Sequence, residues 1–374
     1  MKNVFLILFI GFISLNSFAK KIKEYYENGN LKETGKMKKG EPIGEWFFYH
    51  ENGKLQAQGI YENGEKAGIW NFYYDNGNQE ESGPYQYGQQ TGKWLGFHPN
   101  GNPDYTGQFE NGNQTGYWKY FHENGNIQEE GSWVNDFQSG TWKYYDESST
   151  FQKAGNWTNG VASGEWKYYF PSGTIDHIGT WIGEKQNGHW VYYYENGKIK
   201  DEGDWIDGVQ TGEWKYYYEN GLVSEVGNWK DSQNHGEWKY YHENGKLLKI
   251  GHWDMGKASG TWIHYHANGN VHKEGKFDEN GKQTGVWNYY FENGKLKETG
   301  TWLNSINNGL WKYYNEDGSQ IDEGYWVNGI QEGPWKYYYP NGKIMEEGEW
   351  KNNKVTGVWK YYDNKGKYTH SVNR

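Results

Sequence analysis

Tryptophan recurs along this chain at a spacing of 24 residues. A first series holds that spacing without a slip and, after one inserted residue, continues at the same spacing: Trp46, Trp70, Trp94, Trp118, Trp142, Trp166, Trp190, Trp214, Trp238, Trp262, Trp287, Trp311, Trp335 and Trp359. A second aromatic series, 15 positions after the first, contains every remaining tryptophan, from Trp133 to Trp350. Such a period is typical of repeat proteins, so almost the whole chain consists of one repeated unit.

Each unit has the same internal pattern when its positions are counted from its first tryptophan, position 0. Glycine occupies position −2 in every unit and recurs at position +13, from Gly59 to Gly348. Positions +2 and +3 are nearly always tyrosine or phenylalanine, and a Glu-Asn-Gly sequence or a close relative follows at +5 to +7. A degenerate unit precedes Trp46. The sequence therefore predicts a repeat array over 20–374, with about 14 units plus the degenerate one.

The local chemistry predicts that each unit is a β-hairpin. Asn-Gly between β-favouring segments is a strong signal for a two-residue type I′ turn, because both turn residues can take positive φ. With that loop, position 0 faces the glycine at +13 and the second tryptophan faces the glycine at −2. We expect each ring to lie over its facing glycine, as in Trp166 over Gly179 and Trp181 over Gly164. A three-residue loop with a bulge would lose this match. These residues are predicted to be structural: Trp142, Trp157, Trp166, Trp181, Trp190, Trp205, Trp214, Trp229, Gly164 and Gly179.

The same register divides the unit into two faces. Positions 0, +2, +4 and the apolar +9 are expected on one face with the second tryptophan, and the lysine at +1, tyrosine at +3 and glutamate at +5 on the other. No helical periodicity is present. The predicted fold is all-β, an elongated antiparallel meander of tandem 24-residue β-hairpins.

Composition excludes several classes of function. The chain has no cysteine, which excludes disulfides, Cys-ligated zinc and a thiol nucleophile. Its formal net charge of −10 argues against nucleic acid or an anionic membrane as the main partner. A mean hydropathy of −1.14 would suggest disorder, but 20% aromatic residues supply the area that a fold must bury.

The first 19 residues form a predicted signal peptide. An apolar run from Val4 to Ile13 follows Met1-Lys2, and Ser17 and Ala19 are the small residues expected at a cleavage site. The run is too short to span a bilayer comfortably. An uncleaved anchor is the alternative. We expect an extracytoplasmic protein, periplasmic, on the outer surface or secreted, that begins near Lys20 and has no transmembrane segment after cleavage.

The unit from Gly212 to Trp229 resembles the MORN repeat, specifically its bacterial variant form. The resemblance extends from about Lys23 to the C-terminus. One departure is that the usual MORN unit has glycine where this chain has its first tryptophan. The family implies an elongated, twisted antiparallel sheet with a role in scaffolding, membrane-lipid contact or protein interaction. Some bacterial variant members carry an antitoxin label, which fits poorly with a signal peptide.

Neither the histidines nor the recurring carboxylates predict a catalytic or metal site. Six of the 12 histidines lie between His235 and His272, but position +4 alternates between histidine and tyrosine, so it selects a flat, semi-polar ring. The glutamates at +5 are copies beside a turn, whereas an active site is one constellation. We therefore predict no enzyme, no metal and no cofactor.

The best candidate binding site is the tyrosine stripe at +3, and its alternative is simple ring packing between strands. Its members are Tyr145, Tyr169, Tyr193, Tyr217, Tyr241, Tyr265, Tyr290 and Tyr314. Exposed aromatics in a row can anchor a protein or stack on sugars. The leading function is a scaffold or protein-interaction surface. The alternative is envelope-glycan binding, supported by a looser similarity to choline- and glucan-binding repeats. Membrane-lipid contact and an antitoxin-like role are less favoured.

Overall fold

The computed structural model describes residues 18–374, and in that range the chain is all-β, without a helix. The predicted fold class, tandem antiparallel β-hairpins of the repeat, is confirmed. The predicted signal peptide lies almost wholly outside the described residues. Residues 18–374 contain no helix long and apolar enough to cross a membrane.

The chain divides into two compact units, Met1–Trp166 and Lys167–Arg374. The strands of the first are β1 Lys20–Tyr25, β2 Leu31–Lys38, β3 Glu41–Tyr49, β4 Leu55–Glu62, β5 Glu65–Tyr73, β6 Gln79–Gln86, β7 Gln89–Gln90, β8 Gly92–Phe97, β9 Pro103–Glu110, β10 Asn113–Phe121, β11 Ile127–Val134, β12 Phe137–Tyr145 and β13 Phe151–Thr158. Strand β14, Val161–Tyr169, contains the division.

The strands of the second unit are β15 Ile175–Ile182, β16 Lys185–Tyr193, β17 Ile199–Ile206, β18 Val209–Tyr217, β19 Val223–Lys230, β20 Gln233–Tyr241, β21 Leu247–Asp254, β22 Lys257–Tyr265, β23 Val271–Phe277, β24 Gln283–Tyr290, β25 Leu296–Leu303, β26 Ile306–Tyr314, β27 Gln320–Val327, β28 Ile330–Tyr338, β29 Ile344–Lys351, β30 Lys354–Tyr362 and β31 Tyr368–Asn373. From β15 to β31, each strand pairs antiparallel with the next along the chain.

The Glu-Asn-Gly turn has three residues, which corrects the predicted two-residue loop. The amide of Tyr194 donates to the carbonyl of Lys198 at 2.8 Å, and the amide of Gly197 donates to the carbonyl of Tyr194 at 2.9 Å. Of the loop residues only Gly197 has a positive φ, +81°. This is a type I turn closed by a left-handed glycine. Asn-Gly suits both turn types, so the dipeptide alone did not distinguish them.

The predicted register is nevertheless present, because a second irregularity compensates for the longer loop. Trp190 pairs with Gly203, as predicted, and Tyr192 pairs with Asp201. Next to the turn, Tyr193 pairs with Ile199 instead. The extra residue between Ile199 and Asp201 is a bulge that restores the register beyond it.

Two-residue loops with two positive φ values occur at the other turn, which joins one unit to the next. Asp207 and Gly208 have φ of +51° and +80°, and the flanking Ile206 and Val209 are paired. The single inserted residue in the tryptophan series falls at one of these turns. There the amide of Asp278 donates to the carbonyl of Lys282, which closes a three-residue loop. The insertion therefore lengthens a turn, and the flanking strands β23 and β24 are each one residue shorter than their counterparts β17 and β18.

Each first tryptophan lies on a glycine of the preceding unit, not on the glycine of its own hairpin. A Cβ on Gly179 would overlap the indole of Trp190, and a Cβ on Gly155 would overlap the indole of Trp166. This corrects the prediction that Trp166 covers Gly179. The glycine at +13 has a tryptophan opposite it on both neighbouring strands, as Gly227 does, and only one ring can occupy the space. These first-series indoles are at most 4% exposed and form the core.

The glycine at −2 is needed for its backbone conformation and does not make space for an aromatic ring. This corrects the prediction that Trp181 lies over Gly164. Gly164 has a φ of +68°, and no tryptophan atom lies where its Cβ would be. In the equivalent strand β18, the pairing with β17 shifts from Glu202 opposite Lys215 to Asp204 opposite Thr211. Glycine is required because the shift needs a left-handed backbone conformation.

Position +9 lies on the face opposite to the predicted one. Because directly paired residues of antiparallel strands share a face, Ile199 lies beside Tyr193, and the rings of Tyr145 and Phe151 are 5.4 Å apart. We call the side with positions 0, +2, +11 and +15 the tryptophan face. The other side, with +1, +3, +9 and +12, is the opposite face.

Candidate binding face

The tyrosine stripe at +3 lies on the opposite face, but its members are half-buried and several hydroxyls are already hydrogen-bonded. The hydroxyl of Tyr217 donates to Glu202 at 2.6 Å, and that of Tyr290 donates to Glu274 at 2.8 Å. Burial and the bond to Glu202 raise the pKa of Tyr217 to about 12. These tyrosines bridge consecutive units. They do not form a free row of exposed rings.

Glu130 shows how the opposite face is held together. It accepts a hydrogen bond from the hydroxyl of Tyr145 at 3.1 Å, and the ammonium of Lys119 lies 3.2 Å away. Burial raises the pKa of Glu130, but the hydrogen bonds from Lys119 and neighbouring tyrosines outweigh it, so the pKa is lowered. With only 8% of its surface exposed, this carboxylate has a structural role.

Where position +4 is histidine or tyrosine, its side chain makes a hydrogen bond to the next unit, which accounts for the exchange of these two residues. His122 Nε2 lies 3.0 Å from the carbonyl of Tyr145, and the hydroxyl of Tyr194 donates to the carbonyl of Tyr217 at 2.6 Å. In both cases the acceptor is the +3 carbonyl of the following unit. In the described part of the chain, no group of three or more potential ligands is placed to hold a metal ion.

The tryptophan face carries a feature that the sequence analysis missed, a row of residues formed by +2 and +11. In the second unit, in-register pairing links one residue from each strand, β15 to β31, in an unbroken line that we call the central row: His177, Tyr192, Asp201, Tyr216, Glu225, Tyr240, Lys249, His264, Lys273, Tyr289, Glu298, Tyr313, Asp322, Tyr337, Glu346, Tyr361 and His370. Rings, mostly tyrosine, therefore alternate with residues that are mostly charged.

Family comparison agrees with the repeat seen in the structure. The sequence model of the MORN repeat variant family matches residues 21–39, 42–63, 90–111, 114–135, 162–182, 186–207, 210–231, 234–255, 258–279, 283–304 and 331–352. The chain belongs to the MORN repeat variant family. No curated protein matches it.

Solved structures similar to this MORN variant chain are toxin-complex proteins. The complex of TcdB2, TccC3 and Cdc42 is 11% identical, with 91% of this chain and 24% of that chain covered and a TM-score of 0.16. The Photorhabdus luminescens Tc holotoxin pore is 10% identical, with 91% and 23% covered and a TM-score of 0.16. The chain spans about a quarter of the length of these proteins. Scores this low carry no argument about fold or function.

The charged side chains in the central row of this MORN array are half-buried, in surroundings of low polarity. Burial raises the pKa of Asp322 to about 6 and also raises that of Glu225. Burial lowers the pKa of Lys249. The pKa of His264 falls to about 4, first through burial and then through the nearby Lys273 and Lys249. Burial always disfavours the charged form, and these shifts follow that rule along the row.

The sequence analysis missed the central row because the residue at position +11 differs from unit to unit. It is Lys153 in one unit, Asp201 in another and Lys249 in a third. The available signal was chemical: most units place an ionisable residue at +11. The predicted register, with position 0 facing +13, already places +11 beside +2, and the bulge in each hairpin preserves that pairing with the longer loop.

Proposed function

We propose that this MORN variant protein is a non-catalytic, extracytoplasmic scaffold whose tryptophan face binds a protein partner. The observation that carries the proposal is the central row, where half-buried charges alternate with tyrosines. The row tyrosines present only part of each ring, Tyr240 being 9% exposed, and add a small apolar contact area between the charges. Charged groups between them give specificity through complementarity. Family membership supports the scaffold part of the proposal.

Envelope-glycan binding through the +3 stripe is the competing function. It requires exposed ring faces, whereas these tyrosines are half-buried and some have hydroxyls bound to glutamate. The structure therefore gives this alternative less support than the sequence pattern did.

The test compares the two faces in one capture experiment with the mature chain and cell-envelope extract. One variant carries D201K and D322K on the central row, and a second carries Tyr193→Ser, Tyr241→Ser and Tyr314→Ser on the opposite face. We expect a defined protein to be recovered by the wild type and the opposite-face variant and lost with the row variant. Peptidoglycan binding that only the tyrosine variant loses would support the glycan function instead.

The extracytoplasmic part is tested separately by expressing residues 1–374 and measuring the mass of the accumulated protein. Cleavage after Ala19 should leave a chain that begins at Lys20. Recovery of the uncleaved chain from the cytoplasm would contradict the extracytoplasmic location. It would not decide whether the tryptophan face binds a protein, which the capture experiment tests.

A further inference from the structure

The central row has a basic centre formed by three residues on consecutive strands. Lys249 on β21 pairs with His264 on β22, which pairs with Lys273 on β23. The Lys249 ammonium lies 3.9 Å from the ring centroid of Tyr240. The Lys273 ammonium lies 6.0 Å from the ring of Trp287. In residues 18–374, neither lysine forms an ion pair with a carboxylate of this chain.

This arrangement places like charges together in a half-buried site. Lys249 and Lys273 are two strands apart, roughly 10 Å. Burial lowers the pKa of Lys249, the charge of Glu225 partly offsets this, and the charge of Lys273 lowers the pKa further. His264 is neutral at pH 7, because its pKa is about 4. Half-buried charges normally have a partner. The ring contact of Lys249 offsets only part of the cost, so an external anion would complete the site.

The charges on both sides of this centre are symmetrical about His264. Glu225 on β19 and Glu298 on β25 each lie three strands away, with Tyr240 or Tyr289 next to them in the row. Asp201 and Asp322 follow two strands farther out on each side. Along the row the charges are therefore negative, negative, positive, neutral, positive, negative, negative.

The spacing corresponds to an extended peptide. Three strand separations of about 4.8 Å amount to about 14 Å, and four residues of extended chain span about 13 to 14 Å. Residues four apart in an extended segment also point to the same side. A segment along the row can thus place one side chain over His264 and two others, four residues before and after it, over Glu225 and Glu298.

We propose that the central row binds an extended segment of a protein partner with one carboxylate between Lys249 and Lys273 and a basic residue four positions to each side. This inference rests on the proposed protein-binding function of the tryptophan face. The acidic flanks argue against a polyanion, since a nucleic acid or an anionic membrane surface would meet Asp201, Glu225 and their counterparts.

The test measures the fluorescence anisotropy of C-terminally amidated nine-residue peptides, labelled at the N-terminus with a dye of no net charge, with the mature chain at low salt and pH 7.5. The first peptide has Lys at its ends, Glu at its centre and Ser or Thr elsewhere. The second has the same composition with Glu first and Lys at the centre and end. We expect the first peptide to bind at least tenfold more tightly. Equal binding of the two peptides would overturn the proposal.

Variants identify the site. K249Q with K273Q should weaken the first peptide at least tenfold, whereas K153Q should not. Lys153 is a matched control, because it also occupies +11 and lies 4.7 Å from a tyrosine ring, that of Tyr144. The double variant makes the chain more negative and the peptide is cationic, so non-specific attraction would change in the opposite direction. Retained binding by the double variant would also overturn the proposal.

The capture experiment, repeated with the lysine variants, tests this inference separately from the proposed function. Capture lost with D201K/D322K but retained with K249Q/K273Q would refute the segment proposal and leave the tryptophan face as the binding surface. Capture unaffected by both pairs would refute both. Matching unfolding midpoints for all variants are required, so that lost binding is not lost folding.

Discussion

The indole of Trp214 lies on the α-carbon of Gly203, and no side chain fits between them. Gly203 is at the same time the in-register partner of Trp190 in its own hairpin. The indole of Trp214 also donates a hydrogen bond to the carbonyl of Asp204 at 3.3 Å. One residue without a side chain thus connects the tryptophans of two successive units, and the relationship recurs along the chain.

Gly203→Ala is expected to destabilise the protein by roughly 1 to 3 kcal/mol, the usual cost of overpacking a core. The new methyl group would displace the Trp214 indole. Urea unfolding measures the loss. Gly212 is a glycine of the second kind, because its φ is +68° and a Cβ there would meet only Asp204 Oδ2, at an ordinary contact distance of 3.9 Å. G212N should cost less than G203N, since asparagine tolerates a left-handed backbone. Similar losses for the two asparagine variants would contradict this assignment.

Tyr87→Asn is expected to stabilise the protein by up to about 1 kcal/mol, because it relieves backbone strain. Tyr87 has a φ of +51° in a two-residue turn and is 80% exposed, so its ring contributes little packing. Asparagine suits the first position of a type I′ turn. Y87F is the control that keeps the strain, and its unfolding midpoint should stay at the wild-type value. A less stable Y87N would show that the ring is needed.

His122→Phe is expected to cost about 1 kcal/mol, the net value of one hydrogen bond. The imidazole Nε2 lies 3.0 Å from the carbonyl of Tyr145, and phenylalanine has no donor. H122Y keeps a donor at this position and should stay within about 0.5 kcal/mol of the wild type. Thermal unfolding of the two variants tests the donor requirement. If H122F and H122Y are equally stable, ring shape alone governs position +4.

Asp322→Asn is expected to stabilise the protein at pH 7 by on the order of 1 kcal/mol, after allowance for partial exposure. The folded-state pKa of Asp322 is about 6 against an ordinary value of 3.8. Above pH 6 the folded state carries a half-buried charge. As pH falls from 6 to 4 the folded state takes up the proton first, so this group adds stability to the wild type and the gain from D322N shrinks.

Urea unfolding of D322N at pH 4, 5.5 and 7 measures this dependence. Asp317→Asn is the control with the same change in net charge, because Asp317 is exposed and accepts a hydrogen bond from the amide of Ser319 at 2.8 Å. D317N should give no gain at pH 7. A gain of equal size in both variants would assign the effect to net charge and not to the burial of Asp322.

The strand register of the hairpin could be predicted from local sequence, but its loop length and the face of position +9 could not. The spacing of Trp190 and Gly203 predicted their pairing correctly, although this glycine makes room for Trp214 and not for Trp190. The loop at Glu195-Asn196-Gly197 was predicted with one residue too few. Both turn types place glycine in a left-handed conformation, so the error was local, yet it assigned position +9 to the wrong face.

The sequence by itself determined the repeat, its all-β character and the residues that form the tryptophan core, since a 24-residue period acts on every unit alike. Only the tertiary structure decided which glycine each indole covers and which residues meet on the tryptophan face. Lys249, His264 and Lys273 are 24 residues apart at their ends, and they become neighbours through the register between strands of different units. That register depends on bulges and turns, whose geometry is set by backbone hydrogen bonds and is only weakly encoded in residue identity.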